Sequence, residues 1–316
     1  MTFIGVDLGG TKLAVAAFTS DGDVIAREVT PLLGRRGAAV GSLVAETVRR
    51  YVTQHKSGAV GVCVPGIYRT ERGTVWAPNI DGWDDYPLLQ ELRDSLGPTS
   101  RVTIDSDRAA YILGETWLGA ARGARDAIFL AVGTGIGAGI LCGGKLLRGH
   151  GDIAGAIGWL ALDRHFLPRY GQHGCFEDAA SGPGLVRIAR DLIQSDTNYA
   201  GDLRRENHKD LDASDIFVAH GRGDKIAHEV IDNAIELWGM AVANLVSIFN
   251  PEIIVLGGGV FGPGAKFLDR IQEQAARWAQ PIAIKQVRLV VSALGADAGL
   301  FGAGRLAMMA NQESST

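Results

Sequence analysis

Asp7-Leu8-Gly9-Gly10-Thr11-Lys12 joins the apolar runs Phe3–Val6 and Leu13–Phe18, and Gly133-Thr134-Gly135-Ile136-Gly137 joins Ala127–Val132 to Ala138–Cys142. Each reads as strand, tight turn, strand. Glycine tolerates φ > 0, and without a Cβ it lets backbone N–H groups approach an anion closely. Both turns carry a Thr hydroxyl, and the first adds the Asp7 carboxylate and the Lys12 ammonium. One such hairpin is an ordinary turn. Two of them, one in each half of the chain, read as a nucleoside triphosphate held from both sides.

Three other glycine patterns compete with that reading. Gly139–Gly144-Lys145 has P-loop spacing, but Leu146 stands where Ser or Thr would hold Mg²⁺ and no helix pattern follows. Gly133-x-Gly135-x-x-Ala138 fits a dinucleotide fingerprint yet leads into a strand. Gly257-x-Gly259-x-x-Gly262 is a better match, following the strand Ile253–Leu256 and preceding a helix expected over Ala265–Trp278. Its ribose-binding acid is missing, because Arg288–Val291 ends in Ser292 and Ala293. A nicotinamide cofactor is therefore disfavoured.

The 316 residues are enough for two domains, each with its own core. An apolar share of 47% with 21% charged residues is that of a globular protein. The 43 glycines are about twice the usual share of roughly 7%, and many of them fall in turns. A net charge of −4 without a basic run offers no footprint for nucleic acid. Three cysteines make no disulfide framework and suit a reducing cytoplasm. Asp7 and Lys12 interrupt any signal-peptide pattern, and no apolar run approaches membrane-spanning length. A soluble cytoplasmic protein is expected, with neither nucleic acid nor membrane as a partner.

Along the chain, Val24–Thr30 can extend the first hairpin, Val40–Val52 shows helical periodicity, and Ala59–Val64 is a buried strand. Val102–Ile104 is another strand, leading through Asp105-Ser106-Asp107 into a helix from Arg108 to about Leu118. The second hairpin, at 127–148, restarts the same grammar. The longest helix pattern is Ile226–Phe249, closed by Asn250-Pro251. The expected division is 1–118, completed by a C-terminal helix over 298–310, and 119–297.

These segments, in this order, resemble the ROK family (repressor, open reading frame, kinase) of the actin-like ATPase and sugar kinase superfamily, in particular its glucokinase-like members. The resemblance covers nearly the whole chain. It rests on Ile4–Lys12, Val64-Pro65-Gly66, Ala77–Trp83, Ser106-Asp107-Arg108-Ala109, the Gly133–Gly139 turn and Asn250–Gly259. It implies a two-domain α/β fold of the actin-like, ribonuclease H-like type, with the active site in the interdomain cleft. It also implies ATP-dependent phosphorylation of a hydroxyl on a hexose, N-acetylhexosamine or similar polyol. Gly9, Gly10, Thr11 and Lys12 would hold the terminal phosphates, with Asp7 helping to place Mg²⁺ through water or ATP. Thr134 and Gly135 would hold the phosphates from the other domain, and Gly257, Gly258 and Gly259 would line the adenosine pocket. Asn79 would bind sugar hydroxyls beside Gly66, Ser106 and Glu177, and Asp107 would be the general base. Family regulators carry a helix-turn-helix ahead of the first turn; this sequence starts two residues before its first strand, so no such module is expected. Dimers are common among similar proteins, so the resemblance leaves a homodimer open without fixing the assembly.

Phosphoryl transfer asks for the same parts on chemical grounds: charge neutralisation, in-line positioning and a carboxylate to take the proton. Asp107, at a strand end and helix start, can supply the last. A simple N-cap is the alternative role, but Asp105 or Ser106 would cap equally well.

The chain departs from the family chiefly over 156–170. Where the resemblance leads to Gly-Glu-x-Gly-His and Cys-x-Cys-Gly-x-x-Gly-Cys-x-Glu, this sequence has Ala156, Trp159, Pro168 and Tyr170, and keeps Cys175 and Glu177. The family's zinc is held by that His and those Cys residues. One surviving Cys cannot close a tetrahedral site, so no structural zinc is expected; His165 and His173 read as loop residues. Ser106 also replaces an Asn. Lost hydrogen-bonding groups change substrate choice more than they change phosphoryl-transfer chemistry. Trp159 is expected either to stack on a substrate ring or to fill a gap in the core. Two further readings stay open: a kinase for a cyclitol or other non-glucose polyol, and a non-catalytic sugar or nucleotide sensor that keeps the fold.

Overall fold

The computed structural model describes residues 1–98, 100–204 and 211–312. The chain forms two compact units, Met1–Gly123 with Leu146–Ala154 and Ala296–Thr316, and Ala124–Lys145 with Gly155–Gly295. These bounds differ from the sequence division in that 119–123, the segment Leu146–Ala154 and 296–297 belong with the first unit.

The first unit runs β1 (Phe3–Leu8), β2 (Lys12–Phe18), β3 (Val24–Pro31), α1 (Ala38–His55), β4 (Ala59–Val64), β5 (Ile67–Arg69), β6 (Thr74–Trp76), α2 (Leu88–Leu96), β7 (Arg101–Ser106) and α3 (Asp107–Leu118). Its main sheet has the order β3-β2-β1-β4-β7. β1 pairs antiparallel with β2 and parallel with β4, which in turn pairs parallel with β7. β4 is buried at all six positions, as expected of an apolar run walled on both faces. β3, at the edge, alternates exposed and half-buried residues.

The second unit holds β8 (Ala127–Val132), β9 (Ile136–Cys142), β10 (Lys145–Leu146), α4 (Tyr170–His173), α5 (Cys175–Ala180), α6 (Gly182–Ser195), α7 (Ala213–Gly221), α8 (Lys225–Phe249), β11 (Ile253–Gly257), α9 (Leu268–Trp278) and β12 (Arg288–Val291). Its sheet order, β10-β9-β8-β11-β12, reproduces that of the first. α8 buries Val230, Ala234, Trp238, Val242 and Val246, and each of the valines contributes roughly 1.5–3 kcal/mol of burial. Asn250 ends it in the left-handed conformation, φ 44°, a role Asn fills where glycine is absent.

α10 (Ala298–Gln312) returns to the first unit and packs on β1, β4 and α3. Glycine makes that approach possible: a Cβ on Gly61 would lie 2.0 Å from the Ala303 carbonyl oxygen, and one on Gly5 2.7 Å from the Gly304 nitrogen. Among the described residues, no helix is long and apolar enough to cross a membrane. The helix expected from Ala265 begins at Leu268, after a 3-10 turn over Pro263–Phe267.

Candidate active site

Strand register gathers the first unit's charged groups. Asp7 pairs with Cys63, and Cys63 with Asp105, in one row across the carboxyl ends of β1, β4 and β7. In open α/β sheets this is the edge where ligands bind. The Asp7 carboxyl is pushed up by burial, while the Cys63 thiol, Lys12 and Arg27 pull it down and Asp297 raises it. Cys63 is fully buried, and its thiol donates to Asp7 Oδ1 at 3.1 Å. Burial first, and then Asp7, holds that thiol well above its usual range. Gly299, in the first turn of α10, leaves room for the same carboxylate; its Cβ would stand 2.9 Å from Asp7 Oδ2.

Asp107 opens α3. Ser106 caps that helix, its hydroxyl accepting from the Ala109 amide at 3.3 Å, so Asp107 is not the cap. The half-buried Asp107 carboxyl accepts from the Arg108 amide at 2.8 Å and from the Tyr111 hydroxyl at 3.4 Å. Burial pushes it up to about 6; Arg108 and Tyr111 work against that, and the Asp7 charge adds to it. Tyr111 is raised as well, by burial first and by Asp107 next.

Gly10, Thr11 and Lys12 are exposed at the first turn, where Gly9 donates to the Lys12 carbonyl at 2.9 Å. Neither Gly9 nor Gly10 has a left-handed φ, nor do Gly133 and Gly135. The tolerance of positive φ is thus not used here; of these glycines, Gly10 and Gly135 stand where a Cβ would crowd a neighbour. A Cβ on Gly10 would stand 3.1 Å from the Asn79 Cβ, so the turn meets the exposed Asn79 directly. Gly66 is a packing position, since its Cβ would lie 2.1 Å from the Trp76 carbonyl oxygen.

In the second unit Thr134 and Gly135 are exposed at the β8–β9 turn. Glu177 Oε2 accepts from the Ile136 amide at 2.7 Å and sits 2.9 Å from where a Gly135 Cβ would be. Burial raises Glu177, while that hydrogen bond and His173 lower it. The Gly133 carbonyl accepts from Gly182 at the start of α6. Gly258 is left-handed at φ 89°, and the exposed Gly259 backbone comes close to Gly133. Gly257 is buried against the Phe129 ring. Trp159 is 56% exposed, which excludes the core-filling role: its backbone packs on Gly174 and its ring lies at the surface.

His165 and His173 are exposed and Cys175 is half-buried. Among the described residues no three or more His, Cys, Asp or Glu gather as a metal-binding group. The loop is tied by a buried carboxylate, Asp178, which accepts from Arg169 at 2.8 Å and Arg187 at 3.0 Å. Sequence reasoning missed Cys63, Tyr111 and Arg148 as neighbours of the site. Tyr111 stands four residues after Asp107, a helical spacing that could have been read; nothing in the sequence points to the other two.

Two sheets of one strand order, each opened by a glycine-turned hairpin, define the duplicated α/β fold of the actin-like ATPases. The chain belongs to the ROK family, whose model matches residues 3–310. It is 32% identical over 317 residues to a glucokinase of Halalkalibacterium halodurans, covering 96% of this chain and 94% of that one. The crystal structure of a ROK hexokinase from Thermus thermophilus matches 99% of this chain and all of that one, with a TM-score of 0.83 and 31% identity. A ROK glucokinase from Streptomyces griseus, in complex with glucose and AMPPNP, matches 98% of this chain and all of that one, with a TM-score of 0.78 and 30% identity.

Proposed function

We propose that this chain is an ATP-dependent kinase that phosphorylates a hydroxyl of a sugar or sugar-like polyol, with Asp107 as general base. The observation that carries the reading is the half-buried Asp107 carboxyl at the β7–α3 junction, raised to about 6, in a chain 32% identical to a glucokinase over nearly its full length. A base with that value is ionised at neutral pH and still a useful proton acceptor. The acceptor oxygen bonds to the γ-phosphorus as its proton passes to Asp107, and the bond to the bridging oxygen breaks to release ADP. The Gly10–Thr11 backbone, Lys12, Thr134 and Gly135 are the groups suited to hold phosphate oxygens, and Gly258–Gly259 the adenosine. Magnesium arriving with ATP would neutralise the phosphate charge. Asp7 is an oxygen donor of the hard kind this ion prefers, and a single carboxylate with phosphates and waters suits it better than an all-protein cage.

Asn79, beside the first turn, is the acceptor contact best supported by packing. The exposed Trp159 ring favours an acceptor with an apolar face, which keeps cyclitols and other non-glucose polyols in the substrate class. The test is ADP release with Mg-ATP across hexoses, N-acetylhexosamines, ketoses and cyclitols. Acceptor-dependent turnover with at least one of them is expected. Sugar binding by calorimetry without turnover on any member would replace the kinase by the sensor reading.

A further inference from the structure

The segment Leu146–Ala154 starts at the last residue of β10 yet belongs with the first unit. It is tied down at two points. Arg148 donates through Nε at 3.0 Å and Nη2 at 2.7 Å to Asp105 Oδ2. Thr70 donates its amide and hydroxyl, each at 2.9 Å, to the two carboxylate oxygens of Asp152. Between these points the backbone turns back on itself, with Gly149, Gly151 and Asp152 all at left-handed φ.

Asp105 is a buried polar residue. Its other oxygen accepts from the Ser106 amide at 2.8 Å, inside the run that caps α3 and presents Asp107. A buried carboxylate needs its partners to remain charged. The Arg148 side chain is 44% exposed while that of Asp105 is 9% exposed, so the arginine reaches in from solvent to satisfy the acid. The Asp105 charge is also felt by Tyr68 on β5 and Cys63 on β4; Asp107 itself feels Arg108, Tyr111 and Asp7, and is felt by Tyr111 and Cys63.

We propose that Arg148 and Asp105 are a positioning pair for the base: Arg148 fixes and neutralises the Asp105 carboxylate, and through it the β7–α3 junction that carries Asp107. The inference rests on Asp107 being the base. It gives the segment Leu146–Ala154 a part in catalysis without any contact to the reacting atoms.

The test reads the ionisation of Asp107, which a merely structural tie would leave alone. Arg148→Ala strands an anion two residues from Asp107, and Asp105→Asn strands a cation at the same place. Like charge raises a carboxyl and opposite charge lowers it. The Asp107 carboxyl titration, followed by carbon NMR on the acceptor-free protein and assigned with Asp107→Asn, moves up by about half to one pH unit in the first variant and down in the second. The double variant returns toward wild type. Arg148→Lys, which keeps the charge, holds the titration near wild type and guards against a variant that fails to fold. With D-glucose, or the fastest acceptor of the panel, kcat falls at least about tenfold in Arg148→Ala while KM for ATP changes little. An unmoved titration, or shifts of the same sign in the two single variants, overturns the proposal. If Asp107→Asn stays active, the base reading itself falls; if it is inactive and the titration is unmoved by Arg148→Ala, only the positioning pair falls.

Discussion

Replacing Asp107 by Asn should cripple the enzyme and stabilise the protein at once. The carboxyl is raised from 3.8 to about 6, burial being the largest cause, so the folded state favours its neutral form. A group raised on folding contributes stability below its unfolded value and loses that contribution as pH rises through its folded value. Two pH units correspond to a ceiling of about 3 kcal/mol at pH 8. Asp107 is half-buried, and solvent screening reduces the figure to about 1–2 kcal/mol. Asn is neutral at every pH and keeps an oxygen for the Arg108 amide, so it escapes the penalty. The gain is therefore absent below about pH 4, where both side chains are uncharged, grows between 4 and 6, and is constant above 7. Urea unfolding of both proteins at pH 4, 6 and 8 reads this directly. Turnover should fall by about 10²–10⁴-fold, the usual share of general-base catalysis, with nucleotide affinity nearly unchanged. The wild-type rate should rise with pH through about 6, as the base loses its proton. A loss below about tenfold, or a variant less stable than wild type at pH 8, refutes the reasoning.

Gly135→Ala places a methyl 2.9 Å from Glu177 Oε2 and drives that oxygen off the Ile136 amide; a buried amide left without its acceptor costs about 1–3 kcal/mol. A lower urea midpoint and weaker ATP binding are expected, and an unchanged midpoint would count against the role given to this glycine. Elemental analysis of the purified protein should find well under one zinc per chain, because Trp159, Pro168 and Tyr170 stand where the family's ligands would be. A stoichiometric value would show that His165, His173 and Cys175 bind after rearrangement.

What the sequence made legible was whatever local pattern dictates. The runs Phe3–Val6, Ala59–Val64 and Ile253–Leu256 are wholly buried strands, and four to six β-branched or apolar residues between turn signals have few alternatives. Ser106-Asp107 could be read as the junction of strand and helix. The three-residue strands β5 and β6 are too short to carry periodicity, and α6 starts in Gly182-Pro183-Gly184, which reads as a loop. α2 follows Pro87 with no side-chain cap to announce it. Glycine conformation was also hidden: whether Gly10 serves φ or clearance depends on Asn79, which lies 69 residues away. The exposure of Trp159 and the reach of Arg148 to Asp105 are tertiary facts with no local signature.

The two sheets share one strand order but not one chemistry. In the first, the row across the strand ends is Asp7, Cys63 and Asp105. In the second, Ala131 pairs with Gly257, and Ser292 follows the end of β12. The first row carries two carboxylates, the second none. Bare carboxylates repel a polyphosphate and suit a proton or a cation. The second edge presents the exposed Thr134 and the backbone of Gly135, Gly258 and Gly259, which bring no charge of their own. Neutral donors of this kind hold an anion without setting the protonation state of a neighbouring base. Asp107, in the first unit, is raised to about 6 by its own burial, with Asp7 adding to the shift. The acid-bearing row is therefore the one where substitutions should alter the pH dependence of the rate.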